Sequence, residues 1–405
     1  MISVVHSAAR IWDNLFLTIM PVSRLQHAPP IGVDRMGDAA DDGHDPDILR
    51  LENMDTDILP PRAAILATHQ AIENDASNSY LPFMGQQALR EAVARHVSRL
   101  SGIDYDWNSQ CIVTAGGLNG IVNTLLALLE PGDEVIVHDP IYVGLLNRIR
   151  LAGGVPKFAA LIPGTKGWTV DRDSLKQAAS PLTRIVLMVN PSFPTGAYVT
   201  RDDWEAVADL CRATNAWLLY DAALERILFD GHAYFHPASL PGMAERTITV
   251  GCVTKEYRMI GWRVGWVVGP KPVMNDIGLV NISNVVCQVG IAMPGAAAAL
   301  NMHENGVAEA VAEWQKRRDV LLDELSGLPV IPPAGGWSLL IDTTKLGLDT
   351  ETAAQLLLAK AKVAATPMIN WGSDRAANYL RFVYANEPVH RLRGIRERIR
   401  GAWGS

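Results

Sequence analysis

The sequence predicts an α/β protein whose central sheet is mostly parallel and lies between helices. Short apolar strands alternate with helical stretches from about residue 85 to residue 268, as strand–helix–strand units of one parallel sheet do. Most residues with chemistry to offer stand just past a strand's end, where open α/β sheets bind ligands.

Each element has a local reason. From Gly85 onward, Leu89, Val93, Val97 and Leu100 recur at helical spacing. Ile112-Val113-Thr114 reads as a strand entering Ala115-Gly116-Gly117, followed by a helix through Ile121, Leu125 and Leu128. Pro131-Gly132-Asp133 stops that helix, and Glu134 to His138 starts the next strand. Further strands are predicted at 184–189, 217–220, 247–252 and 264–268. A boundary near Gly290 to Pro294 precedes an Ala-rich helix and a C-terminal α+β portion.

The bulk properties exclude several classes. At 405 residues the chain exceeds one small core and implies two domains, and 48% hydrophobic content can fill them without disulfides. A net charge of -7 gives no basic footprint for nucleic acid or an anionic membrane. Cys111, Cys211, Cys252 and Cys287 lack metal-ligand spacing and fit a reducing cytoplasm, with no metal site expected. Residues 1–25 lack a basic leader and a long apolar core, which argues against a signal peptide or membrane span. They read either as an amphipathic helix packed on the body or as an arm docking on a partner subunit. Residues 34–48 carry six aspartates and read as a solvated linker.

The chemistry concentrates around Lys255. It ends Gly251-Cys252-Val253-Thr254-Lys255, eight residues before Arg263 in Gly261-Trp262-Arg263-Val264-Gly265. Upstream stand Asn190-Pro191-Ser192-Phe193-Pro194-Thr195-Gly196 and then Asp221, closing the strand Trp217 to Tyr220. An amine, a fixed guanidinium, an Asn and a strand-end Asp are the parts that hold and activate pyridoxal phosphate. In this order and spacing they resemble the class I/II aminotransferases of the fold-type I pyridoxal-phosphate enzymes, from about Leu51 to Arg381.

The resemblance implies a large cofactor-binding domain at 61–293 and a smaller α+β domain at 294–405, completed by residues 1–60. It implies that Lys255 forms the internal aldimine and then moves the proton between the substrate's Cα and C4′ of the cofactor. Asp221 would keep the pyridine nitrogen protonated, with Ala223 beneath the ring and Tyr142 stacked on its other face. Asn190 would hydrogen-bond the phenolic oxygen. The phosphate would sit on Gly116, Gly117 and Leu118 at a helix start, held also by Thr254 and Arg263. Tyr80 would reach the phosphate of a neighbouring subunit, so the resemblance implies a homodimer. Arg381 would bind the substrate's α-carboxylate. The implied reaction moves an amino group from an L-amino acid to a 2-keto acid.

The chain departs from the family pattern at several positions. Leu224 replaces a tyrosine that touches the phenolic oxygen, which predicts a raised aldimine pKa. Cys252 replaces a phosphate-contacting serine, while Met54 and Met368 put bulk near the substrate. Between Lys271 and Lys316 there is no Lys or Arg to meet a side-chain carboxylate. With Trp337 and Trp371 at pocket positions, an apolar or aromatic donor is expected over a dicarboxylic one; Glu52 would instead suit a basic donor. Elimination, γ-replacement, decarboxylation and oxidation on the same scaffold stay open, because the pocket selects which Cα bond breaks. An effector-sensing regulator is the remote alternative, since the residues before Leu51 are too few and too acidic for a typical DNA-binding module.

Overall fold

The computed structural model describes Leu25 and residues 28–41, 45–302 and 305–404. The expectation for the N-terminal arm falls almost wholly outside these residues. Strands in the first half are β1 (Leu49–Arg50), β2 (Cys111–Thr114), β3 (Glu134–Asp139), β4 (Val155–Gly164), β5 (Gly167–Val170), β6 (Thr183–Val189) and β7 (Trp217–Asp221). Then come β8 (Thr247–Cys252), β9 (Gly265–Val268), β10 (Val330–Ile331), β11 (Ser338–Asp342), β12 (Val363–Ala364), β13 (Thr366–Pro367) and β14 (Tyr379–Val383).

Eight strands form one sheet in the order β2-β9-β8-β7-β6-β3-β4-β5. The run from β8 to β4 is parallel throughout, while β9 and β5 run against their neighbours. The near-continuous apolar character of these strands follows from burial on both faces. Val135 and Val137 enter one core layer and Ile136 the other; Ile185 and Leu187 separate in the same way from Val186 and Met188. Helices 117–128, 143–151 and 271–285 supply side chains to the first layer, and helix 201–214 to the second. Each fully buried Val, Leu or Ile contributes about 1.5–3 kcal/mol, so both layers act as core.

A second, antiparallel sheet has the order β10-β11-β14-β13. Its Leu339, Ile341, Leu380 and Phe382 pack with Trp314 and Leu321 of the helix Val307–Glu324. β1 pairs in parallel with β12. No helix among the described residues is long and apolar enough to cross a membrane.

One expectation is corrected. Within the stretch read as a solvated linker, Val33–Asp41 is a helix. Met36 and Ala40, four residues apart and so on one helical face, are buried in core clusters. Asp41 is engaged by Arg50 at 2.6 Å. The density of acids in the sequence masked that apolar pair.

Candidate active site

Parallel strands converge on one place. Past β3 the chain reaches Tyr142, past β6 Asn190, at the end of β7 Asp221, and past β8 Thr254 and Lys255. β9 lies antiparallel between β2 and β8, so its start sits beside their ends, with Gly265 opposite both Thr114 and Cys252. That register delivers Arg263 to the start of the helix Gly117–Leu128. The approach is close: a Cβ on Gly116, whose φ is +85°, would come within 2.6 Å of Arg263 Nη2. Only glycine adopts that backbone cheaply while leaving the guanidinium its room.

Tyr142, Asp221, Thr254, Lys255 and Arg263 line a cavity of about 510 Å³, together with Gly117, Leu118, Ala223 and Arg381, while Asn190 and Gly116 fall outside its lining. The volume is that of an ordinary small-molecule site. The Tyr142 ring enters it by lying over Gly144, where a Cβ would meet ring atoms at 2.4 Å.

Lys255 Nζ donates to the Met54 carbonyl at 2.7 Å and stands 4.6 Å from the Trp337 ring centroid. Part of the side chain is open to the cavity, but the amine is crowded by protein, and that burial lowers its pKa to about 8. Asp221 is buried and accepts from the Ala223 N–H at 3.1 Å. Burial raises it to about 6; Glu225 adds to the rise, while the Ala223 N–H and Arg148 oppose it. It forms no ion pair among the described residues.

Two donors have unmet needs. Asn190 is fully buried; its Oδ1 accepts from the Val199 N–H at 2.9 Å, while Nδ2 has no partner. Arg381 donates from Nη2 to the Glu52 carbonyl and to Thr366 Oγ1, the latter at 3.1 Å, while its Nε is buried without a partner. The guanidinium lies 4.8 Å from the Trp371 ring centroid and 5.4 Å from that of Phe193, and burial pushes its pKa down to about 10. Unsatisfied buried donors are costly. A carboxylate without a cation, an amide donor without an acceptor and an arginine with spare donors fit pyridoxal phosphate and an amino-acid carboxylate.

Other expected residues fall elsewhere. Tyr80 is 84% exposed and lies outside the cavity lining. Met368 is fully buried in a core cluster with Trp371 and Tyr379 and does not line the cavity, so Met54 alone supplies the expected bulk. Trp337 is fully buried and meets the site through Lys255 instead of the cavity wall. Glu52 turns its carboxylate to Arg50 Nε at 2.7 Å and offers Arg381 only its carbonyl. Leu224 and Cys252 do line the cavity.

Sequence reasoning missed Ile31, Val33, Leu145 and Ile260 in the wall, and read Phe193 only as part of a turn. The segment carrying Ile31 is held by Asn147 Nδ2 donating to the Pro29 carbonyl at 2.8 Å and Trp371 Nε1 donating to the Ile31 carbonyl at 3.3 Å. The apolar pair Ile31 and Val33 ahead of the acidic stretch was its one trace in the sequence.

Comparison with known proteins agrees with this geometry. The family model described as aminotransferase class I and II matches residues 47–399. An aspartate aminotransferase of Streptomyces avermitilis is 34% identical over 349 residues, 81% of this chain and 83% of that protein. Aromatic-amino-acid aminotransferase 2 of Thermococcus litoralis is 31% identical over 310 residues, 76% of this chain and 79% of that protein. The solved structure of N-succinyldiaminopimelate aminotransferase from Mycobacterium tuberculosis superposes with a TM-score of 0.86 at 29% identity, covering 94% of this chain and 99% of that one.

Proposed function

We propose that this chain, which belongs to the class I and II aminotransferases and depends on pyridoxal 5′-phosphate, takes its amino group from an apolar or aromatic L-amino acid and passes it to a 2-keto acid. The bound cofactor supplies an electron sink for the pair left when the substrate's Cα–H bond breaks. Lys255 Nζ would take that proton and return it at C4′ of the cofactor; a pKa near 8 leaves a useful fraction of neutral amine at neutral pH. Asp221 would keep a proton on the pyridine nitrogen, and Tyr142 and Ala223 would hold the ring. Asn190 Nδ2, which has no protein partner among the described residues, would donate to the phenolic oxygen. The N–H groups of Gly116, Gly117 and Leu118 hold the phosphate with Thr254 and Arg263, and Arg381 pairs with the substrate's α-carboxylate.

The observation that carries the donor preference is the cavity wall. With Arg263 assigned to phosphate and Arg381 to the α-carboxylate, the described lining has no further guanidinium for a side-chain carboxylate. Ile31, Val33, Met54 and Ile260 offer apolar surface instead. The relatives' names do not choose among aspartate, aromatic and N-succinyldiaminopimelate substrates, so this preference rests on the wall.

A homodimer belongs to the same reading, with Tyr80 serving the neighbouring site. Leu59, Leu66, Ile72, Phe83, Leu279 and Val289 are all exposed, and Asn281 Nδ2 donating to the Phe83 carbonyl at 3.4 Å joins the two stretches that carry them. Apolar surface gathered in this way supports an interface with a second copy. The division at 61–293 and 294–405 is retained as the domain reading, and four free cysteines support a reducing, cytoplasmic setting.

The test is to mix cofactor-loaded protein with one L-amino acid at a time, without acceptor, and measure keto acid released. Phenylalanine or leucine should yield one equivalent per chain, faster than aspartate does. A faster reaction with aspartate would overturn the donor preference. Release of ammonia or carbon dioxide in place of the keto acid would overturn the aminotransfer.

A further inference from the structure

Residues 390–400 carry five arginines and His390 against one carboxylate, Glu397, in a chain of net charge -7. They form two short helices, Val389–Leu392 and Ile395–Trp403. The helices place His390, Arg391, Arg393 and Arg398 around a mostly polar cavity of about 370 Å³, whose lining Asp47 and Leu49 complete. It shares no lining residue with the catalytic cavity.

The charges in this cavity are unevenly engaged. Arg391 pairs with Glu387 at 2.8 Å and Arg400 with Glu397 at 3.4 Å. Arg393 and Arg398 are exposed and form no ion pair among the described residues; Arg398 Nη1 donates only to the Asp47 carbonyl, at 3.1 Å. The one acid in the lining, Asp47, shares Lys362 Nζ (3.4 Å) with Asp45 (2.9 Å) and so faces a cation of its own before any arginine of the cavity. Two guanidiniums on one cavity, Arg393 and Arg398, thus lack a carboxylate partner among the described residues, and an anion seated between them would lower their mutual repulsion.

We propose that this cavity is a second ligand site, taking a compact anion with linked phosphate groups, of which inorganic pyrophosphate is the simplest. The planar forks of Arg393 and Arg398 match phosphate oxygens in pairs. The polar lining offers little bed for a nucleobase or a lipid tail, which favours a bare phosphate chain.

The experiment is calorimetric titration of pyrophosphate into cofactor-loaded protein, whose own phosphate subsite is then filled. One pyrophosphate should bind per chain, and less tightly as salt is raised. Arg393→Gln and Arg398→Gln should each weaken binding about tenfold, and the double variant should abolish it. Arg381→Gln should leave it unchanged. Both surface arginines lie outside the catalytic cavity, so unchanged turnover and circular dichroism will certify the variants as folded. No binding to the wild-type protein, or binding that survives the double variant yet disappears with Arg381→Gln, overturns the proposal.

Discussion

Replacing Asp221 by Asn should make the cofactor-free protein more stable and the cofactor-loaded protein less so. The side chain is buried, and Asn keeps an oxygen to accept the Ala223 N–H that now sits 3.1 Å from Asp221 Oδ1. What changes is charge. Burial raises the carboxyl from 3.8 to about 6, so the folded protein holds this proton more tightly than the unfolded chain does. Well below pH 3.8 the carboxyl is neutral in both states and carries no penalty. As pH rises through about 6 the folded protein must accept a buried anion, and the penalty reaches about 3 kcal/mol at about 1.4 kcal/mol for each tenfold in proton affinity. Urea unfolding of the two cofactor-free proteins should therefore coincide at about pH 3 and separate at about pH 8, with Asn ahead. With cofactor bound, the same substitution removes one member of a buried ion pair, a loss of about 3–5 kcal/mol. Cofactor affinity should then fall by about two to four orders of magnitude, with turnover lost. A stability difference that ignores pH, or a wild-type apoprotein that is the more stable near pH 8, would refute the assignment of Asp221 as a carboxylate kept for a cationic ring.

Three further outcomes follow from the same geometry. In the cofactor-free protein an amine acylating reagent should modify Lys255 with a midpoint near pH 8, not at the ordinary 10.5 of a solvated lysine, because only the neutral amine reacts; peptide mapping against Lys255→Arg identifies the site. Arg381→Gln should lower kcat/KM for every amino donor by about a hundredfold or more, as expected when a charge-assisted pair is lost, while the absorbance of bound cofactor stays unchanged. Gly265→Ala should cost about 1–3 kcal/mol of stability and weaken cofactor retention, since a Cβ there would lie 2.5 Å from the Gly116 carbonyl carbon; dialysis followed by absorbance measures the loss.

The sheet was legible because burial on both faces writes strands as apolar runs, and Thr247–Cys252 forms over the residues expected. Asn190 past β6, Asp221 closing β7 and Lys255 three residues past β8 stood out in the sequence through their joint order and spacing, since any one of them alone has an ordinary structural use. The wall of the site was not. Ile31 and Val33 reach the cavity from far upstream, and nothing local to them encodes the contact that Trp371 Nε1 makes with the Ile31 carbonyl. The two tryptophans show the opposite failure. Their size and position suggested pocket walls, yet both are fully buried; Trp337 acts under the Lys255 amine and Trp371 against Arg381.

Leu224 shows how the two sources of information combine. The sequence establishes that no phenol stands there, and the structure puts its side chain in the cavity wall at 3% exposure, joined to the core cluster of Trp337. Asn190 Nδ2 is a buried donor with no partner, and its Oδ1 is already committed to the Val199 N–H. The amide therefore cannot flip to offer its oxygen without giving up that bond. The orientation of the one donor assigned to the phenolic oxygen is fixed by backbone outside the cavity, not by a neighbouring side chain within it. On the proposed reading, where the family pattern shares that oxygen between an amide and a phenol, this chain would leave it to Asn190, since Leu224 presents an apolar side chain to the cavity.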